Sequence, residues 1–141
     1  MKGEKNYSKA KALHEKMYAY PNDMSEHNRV SLYKQYMYFL KRSAYLGNVE
    51  AQYDLGQQYE TMNYLSIQSS MYNPKKCVYW YTKACLQNHA AACNNLASFY
   101  ESGEGCKKNL QKAMLLYKKS GELGYTLGKK NYLIMRKQIQ S

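Results

Sequence analysis

The stretch Ala92-Cys-Asn-Asn-Leu-Ala-Ser-Phe-Tyr-Glu-Ser-Gly-Glu-Gly-Cys-Lys-Lys-Asn-Leu-Gln-Lys-Ala-Met-Leu-Leu-Tyr-Lys-Lys-Ser-Gly-Glu-Leu-Gly124 decides the fold. Ala92, Leu96 and Tyr100 are spaced four apart, so they share one stripe of a helix with a single buried face. Gly103-Glu-Gly105 then interrupts the run. Asn109 offers an N-cap side chain, and a second helical segment ends at Gly124. The same signals recur upstream. Ala51-x-x-x-Leu55-Gly56-x-x-Tyr59 repeats the first helix 41 residues earlier. The second helix has two earlier copies, Phe39–Gly47 and Trp80–Asn88, beside Leu116–Gly124. Each copy opens on a large apolar residue and carries a basic residue three positions later (Arg42, Lys83, Lys119). A small pair follows: Ser43-Ala44, Ala84-Cys85 or Ser120-Gly121. Gly47, Asn88 and Gly124 close the copies, and these residue types tolerate the left-handed conformation that ends a helix.

Working outward, Lys9-Ala-Lys-Ala-Leu13-x-x-x-Met17 at one end and Gly128-x-x-x-Tyr132-Leu133 at the other are weaker echoes of the first helix. The spacing predicts helices over 7–19, 27–46, 49–61, 75–88, 90–102, 109–123 and 126–138. They alternate as A and B helices joined by loops. The loop Met62–Pro74 is five residues longer than its counterpart, which accounts for an offset of 41 where the next is 36. One such unit cannot bury its own apolar face, and stacking supplies the core. The expected fold is all-α: one domain, a right-handed α-solenoid of antiparallel helix pairs. Its units fall near 7–47, 49–88 and 90–124, with a capping helix over 126–138.

At these residues the sequence resembles the Sel1-like repeat family, relatives of the tetratricopeptide repeats. The match is fullest over Ala92–Gly124, through Leu96, Tyr100, Gly103, Gly105, Lys112-Ala113, Leu116-Tyr117 and Gly124. The preceding unit keeps Ala51, Leu55-Gly56, Tyr59, Trp80-Tyr81 and Lys83-Ala84, and lacks the Gly-x-Gly loop. The first unit keeps mainly its B helix. Lys83-Ala-Cys85 followed by Cys93-Asn-Asn-Leu96 is similar to the cysteine-rich Sel1-like proteins of Helicobacter. That resemblance implies a disulfide between Cys85 and Cys93, which lie around the turn at Asn88–His89. Cys77 and Cys106 are the candidate second pair, and the alternative is four reduced, buried thiols. Compartment decides between these, because the cytosol keeps thiols reduced. Met1–Tyr20 lacks the apolar core of a cleavable leader, which points to the cytoplasm, whereas a formed bridge points to a periplasmic or secreted protein.

Composition narrows the function classes. Of 141 residues 17 are Tyr, against 2 Phe and 1 Trp, so aromatic bulk comes with a polar tip suited to half-buried faces. No apolar run is long enough to span a membrane. The net charge of +11 sits at the two ends, with 1–48 and 106–141 basic and 49–105 slightly acidic. Nine basic residues crowd the last segment: Lys107, Lys108, Lys112, Lys118, Lys119, Lys129, Lys130, Arg136 and Lys137. An excess of Lys over Arg without interleaved aromatics reads as a solvated face or a seat for an acidic protein, and disfavours nucleic acid.

Motifs for chemistry are sparse. His14, His27 and His89 show no metal-ligand spacing. Ser8-Lys-Ala-Lys11 and Ser31-Leu-Tyr-Lys34 match the bare Ser-x-x-Lys spacing without companion motifs, while Ser43 and Ser120 occupy repeat packing positions. The reading therefore assigns no catalytic residue, no metal and no cofactor. The resemblance implies instead a protein-binding module that uses the concave A-helix surface. Its candidate contact residues are Tyr53, Gln57, Glu60, Asn94, Ser98, Glu101, Lys130 and Ile134, with Lys11 and Glu15 added by the first unit. Tyr64 and Tyr72 lie in a loop that could also reach a partner. The expected partner is a protein, acidic or a toxin, bound by a monomer or small homo-oligomer acting as a bacterial adaptor or immunity protein. The competing readings are the penicillin-binding or β-lactamase activity with which some cysteine-rich relatives are labelled, and binding of an anionic partner such as nucleic acid.

Overall fold

The computed structural model describes residues 3–19, 24–60, 63–64, 67–68 and 72–141, with backbone alone described at 63–64 and 67–68. Among the described residues seven helices follow in order: α1 (Glu4–Ala19), α2 (Glu26–Tyr45), α3 (Val49–Glu60), α4 (Pro74–Leu86), α5 (Ala90–Ser102), α6 (Leu110–Glu122) and α7 (Thr126–Gln140). Each packs on its sequence neighbour, so antiparallel pairs stack into an α-solenoid. The A helices α1, α3, α5 and α7 alternate with the B helices α2, α4 and α6. Between α3 and α4 the structure adds two short strands, β1 (Asn63–Tyr64) and β2 (Ile67–Gln68). They pair antiparallel, with Asn63 opposite Gln68. The rest of 61–71, and with it the Tyr64 side chain, lies outside the described residues.

Local chemistry sets the helix ends. Ser25, Asn73 and Asn109 each accept a backbone N–H from three residues on, and so cap α2, α4 and α6. The imidazole Nδ1 of His89 does the same for α5. At the other end, each B helix closes with one motif three times over. Gly47, Asn88 and Gly124 all have positive φ. The following N–H of Asn48, His89 and Tyr125 reaches back to the carbonyls of Ser43, Ala84 and Ser120. This six-to-one hydrogen bond satisfies the final carbonyls and turns the chain into the next A helix.

The core follows the repeat. Met17, Leu40, Ala44, Ala51, Leu55, Tyr81, Ala84, Ala92 and Leu96 are buried in one continuous cluster. A smaller cluster at the C-terminal end joins Ala97, Ala113, Tyr117 and Met135. Ser43 and Ser120 are fully buried, and their hydroxyls donate to the carbonyls of Gly3 and Ala90 at 2.7 Å. These serines pin B helices to the start of A helices.

A disulfide joins Cys85 to Cys93 across a Cα separation of 4.7 Å, tying α4 to α5. The candidate pairing of Cys77 with Cys106 requires correction, because both are free thiols. Cys77 is sealed in the core with its Sγ toward the Gly56 carbonyl, whereas Cys106 sits in the α5–α6 loop against the carbonyls of Phe99 and Glu104. Each thiol is satisfied by backbone.

Candidate functional site

The A helices turn one face toward the core and leave another lined with polar and aromatic groups. On α3, Tyr53 is half-buried and stacks on His89, with ring centroids 4.3 Å apart and planes 26° from parallel. Gln57 Nε2 donates to its hydroxyl at 3.1 Å. His89 Nδ1 accepts the Ala92 N–H, so Nε2 carries the ring proton, and it faces Glu50 at 3.3 Å. One imidazole therefore starts α5, supports Tyr53 and meets an acidic side chain.

Two glutamates on this face are tied to the B layer in matching ways. Tyr81 donates to Glu60 at 2.5 Å, and Tyr117 donates to Glu101 at 2.7 Å. Each tyrosine follows the large apolar residue of its B helix, and each glutamate follows the last tyrosine of its A-helix stripe. The carboxylates are held in place and still accept further hydrogen bonds. Burial, then the adjoining carboxylate, raises both phenols above the ordinary tyrosine range.

The remaining candidates divide. Gln57, Ser98, Lys130 and Ile134 are exposed. Asn94 is only 6 % exposed, and its Oδ1 accepts from Asn131 of α7 at 2.9 Å, so its side chain is spent on packing α5 against α7. Lys11, Glu15 and Gln57 come together around a cleft of about 270 Å³ between α1 and α3. Its walls are Tyr7, His14 and Tyr36, with Asp54 and Gln58 on the α3 side. Tyr7 donates to Asp54 at 2.7 Å. Burial raises the Asp54 carboxyl above its usual range, and the Tyr7 hydrogen bond pulls against that shift. Burial lowers His14, opposed by the charges of Asp54 and Glu15.

Tyr7, His14 and Asp54 escape sequence reasoning. Asp54 sits one step out of the Tyr53–Gln57–Glu60 stripe, beside the core residue Leu55. An acidic residue at the border of a buried stripe was the available signal.

Elsewhere the candidates for chemistry resolve into structure or open surface. Ser8, Ser31 and His27 are exposed. Among the described residues, no group of three or more His, Cys, Asp or Glu could hold a metal ion. No described helix is long and apolar enough to cross a membrane. In the basic C-terminal third, Lys112 lies over the Tyr100 ring at 4.5 Å and Lys119 donates to the Cys85 carbonyl at 3.0 Å. Lys107, Lys108, Lys118, Lys129, Arg136 and Lys137 are exposed.

Known proteins share this fold. The family model of the Sel1 repeat matches residues 1–19, 49–89 and 90–125. It takes in α1 and leaves all of α2 outside, so the first unit is matched through its A helix and not, as its sequence suggested, through its B helix. A Sel1 repeat protein from Oxalobacter formigenes is 27 % identical with a TM-score of 0.61, and the match covers 69 % of this chain. A protective antigen of uropathogenic Escherichia coli with an SLR fold is 25 % identical with a TM-score of 0.66 over 93 % of this chain. The chain spans only 27 % of the length of each of these two proteins. Cysteine-rich protein B of Helicobacter pylori, at 22 % identity and a TM-score of 0.62, shares the fold, with 89 % of this chain and 94 % of that one covered. A search of the curated proteins found no match. The paired helices, their repeated C-terminal turns and a family model that matches more than half of the residues place this chain in the Sel1 repeat family.

Proposed function

We propose that this chain is a non-catalytic protein-binding module whose A-helix face takes an extended segment of a partner protein. Sel1-repeat proteins are protein-interaction modules. What supports the assignment to this face is the set of side chains on α3 and α5 that the core does not need. Gln57, Glu60 and Ser98 are exposed, and Tyr53 and Glu101 are half-buried and fixed by hydrogen bonds or stacking. Rigid aromatics beside adaptable amide, hydroxyl and carboxylate groups suit recognition of a polypeptide. The role is stoichiometric, as an adaptor or as an immunity protein that occludes a toxin.

Site-specific photo-crosslinking tests this reading. A crosslinker placed at Gln57 or Ser98 captures a protein partner from native lysate, and one at Lys41 on the B layer does not. Capture from Lys41 alone overturns the assignment of the face. Turnover of a chromogenic β-lactam that is lost on a single serine substitution overturns the non-catalytic reading.

A further inference from the structure

The overall charge of +11 suggests an anionic partner, yet the positive charge lies on the B helices and on the outer A helices α1 and α7, with four Lys or Arg each, and spares the two central A helices. Helices α2, α4 and α6 carry ten Lys and Arg against two Glu. Helices α3 and α5 carry no Lys or Arg at all, and four acidic residues: Glu50, Asp54, Glu60 and Glu101. Of these, Asp54 lines the cleft shared with Glu15 of α1. Glu50 and Asp54 lie near enough to act electrostatically on Tyr7, and Asp54 and Glu60 on Tyr53. Lys11 is the basic side chain in the cleft lining, and it lies over the Tyr7 ring at 5.8 Å.

Aromatic groups stand among these acids. The cleft is walled by Tyr7, His14 and Tyr36, and the Tyr53–His89 stack continues the surface toward α5. Carboxylates next to aromatic faces, in a recess of about 270 Å³, match the long Lys or Arg side chain: an apolar stem with a cationic tip. The basic B layer repels the same ligand, so charge also sets which side it approaches.

We infer that the partner segment recognised by the A-helix face is cationic, an extended stretch of a protein bearing Lys or Arg. It lies along α3 and α5, with one basic side chain in the α1–α3 cleft. The inference rests on the proposed role of the A-helix face and adds the chemistry of the ligand.

The test is selection of random twelve-residue peptides, displayed on phage, against the whole disulfide-bonded chain, followed by affinity measurement on synthetic copies. Enriched peptides are expected to be net positive and to weaken with added salt. The double variant Glu15→Gln/Glu50→Gln, which alters two exposed side chains, should lower their affinity about fivefold. Glu26→Gln on α2 makes the same kind of charge change on the B layer and should leave affinity unaltered. Unchanged thermal melting of the variants shows that the fold survives. Neutral or acidic peptides that still crosslink to Ser98 overturn the cationic ligand and leave the binding face standing. Peptides that crosslink only to B helices, or no enrichment at all, overturn both.

Discussion

Cys77 and Cys106 share a residue type and differ in every physical respect. Cys77 is 0 % exposed, and burial pushes its thiol up to about 12, so it is neither ionised nor reachable at neutral pH. Cys106 is half-buried in a loop and raised by burial, with Lys112 pulling it back. Alkylation of the native protein near pH 8 should therefore label Cys106 and spare Cys77. Denaturation without reductant should release two thiols in total, because Cys85 and Cys93 are bridged. A count of four after denaturation would refute the bridge. Replacing both bridged cysteines by Ser should cost about 2–3 kcal/mol in chemical denaturation, from the restored chain entropy of a short loop. The resemblance to cysteine-rich repeat proteins made Cys85–Cys93 legible in sequence. The fate of the other two depended on backbone carbonyls that no spacing reveals.

At the scale of the elements, helix order and nearly every boundary could be read in advance, because the decisive signals are local. Asn109 caps α6, and the Gly47, Asn88 and Gly124 turns fall where the repeat closes. What could not be read is where one unit touches the next. Gly103 and Gly105 both have positive φ, yet only Gly105 lies against another helix. A Cβ there would stand 2.5 Å from the Pro74 backbone at the start of α4. At Gly47 a Cβ meets nothing within 4 Å, and Asn88 occupies the equivalent turn with φ of 65°. Gly47→Ala should therefore cost only the backbone term, about 1 kcal/mol. Gly105→Ala adds a clash with rigid backbone and should cost at least about 1 kcal/mol more. Urea denaturation of the two variants compares them directly, and equal losses would show that α4 does not rest on the loop. The candidate site divides in the same way. The exposed stripe of Gln57, Glu60 and Ser98 follows from period, whereas the withdrawal of Asn94 onto Asn131 and the Tyr7–Asp54 contact need α1, α5 and α7 in place.

Over the whole molecule the tyrosines hold the two helical layers together. Tyr81 and Tyr117 reach from B helices to glutamates on A helices, and Tyr33 of α2 donates to Gln58 of α3, while Tyr7 ties two neighbouring A helices, α1 and α3, to each other. A polar tip on an aromatic body lets one side chain fill the core and pair at its edge. The arrangement makes the fold sensitive to alkali. Burial, more than any neighbouring charge, raises Tyr7, Tyr36, Tyr81 and Tyr117 above the ordinary range, and Tyr33 up to about 12. In the unfolded chain the same phenols ionise near pH 10. A folded value above the unfolded one means that their contribution is fully present below about pH 10 and is lost as pH climbs toward the folded values. Denaturation midpoints should hold steady up to about pH 9.5 and then fall steeply. In a spectroscopic titration, the last tyrosinate absorbance should rise together with the loss of helical circular dichroism. Helical signal that persists to pH 12 while all 17 tyrosines ionise would show that these hydroxyls are not what couples the layers.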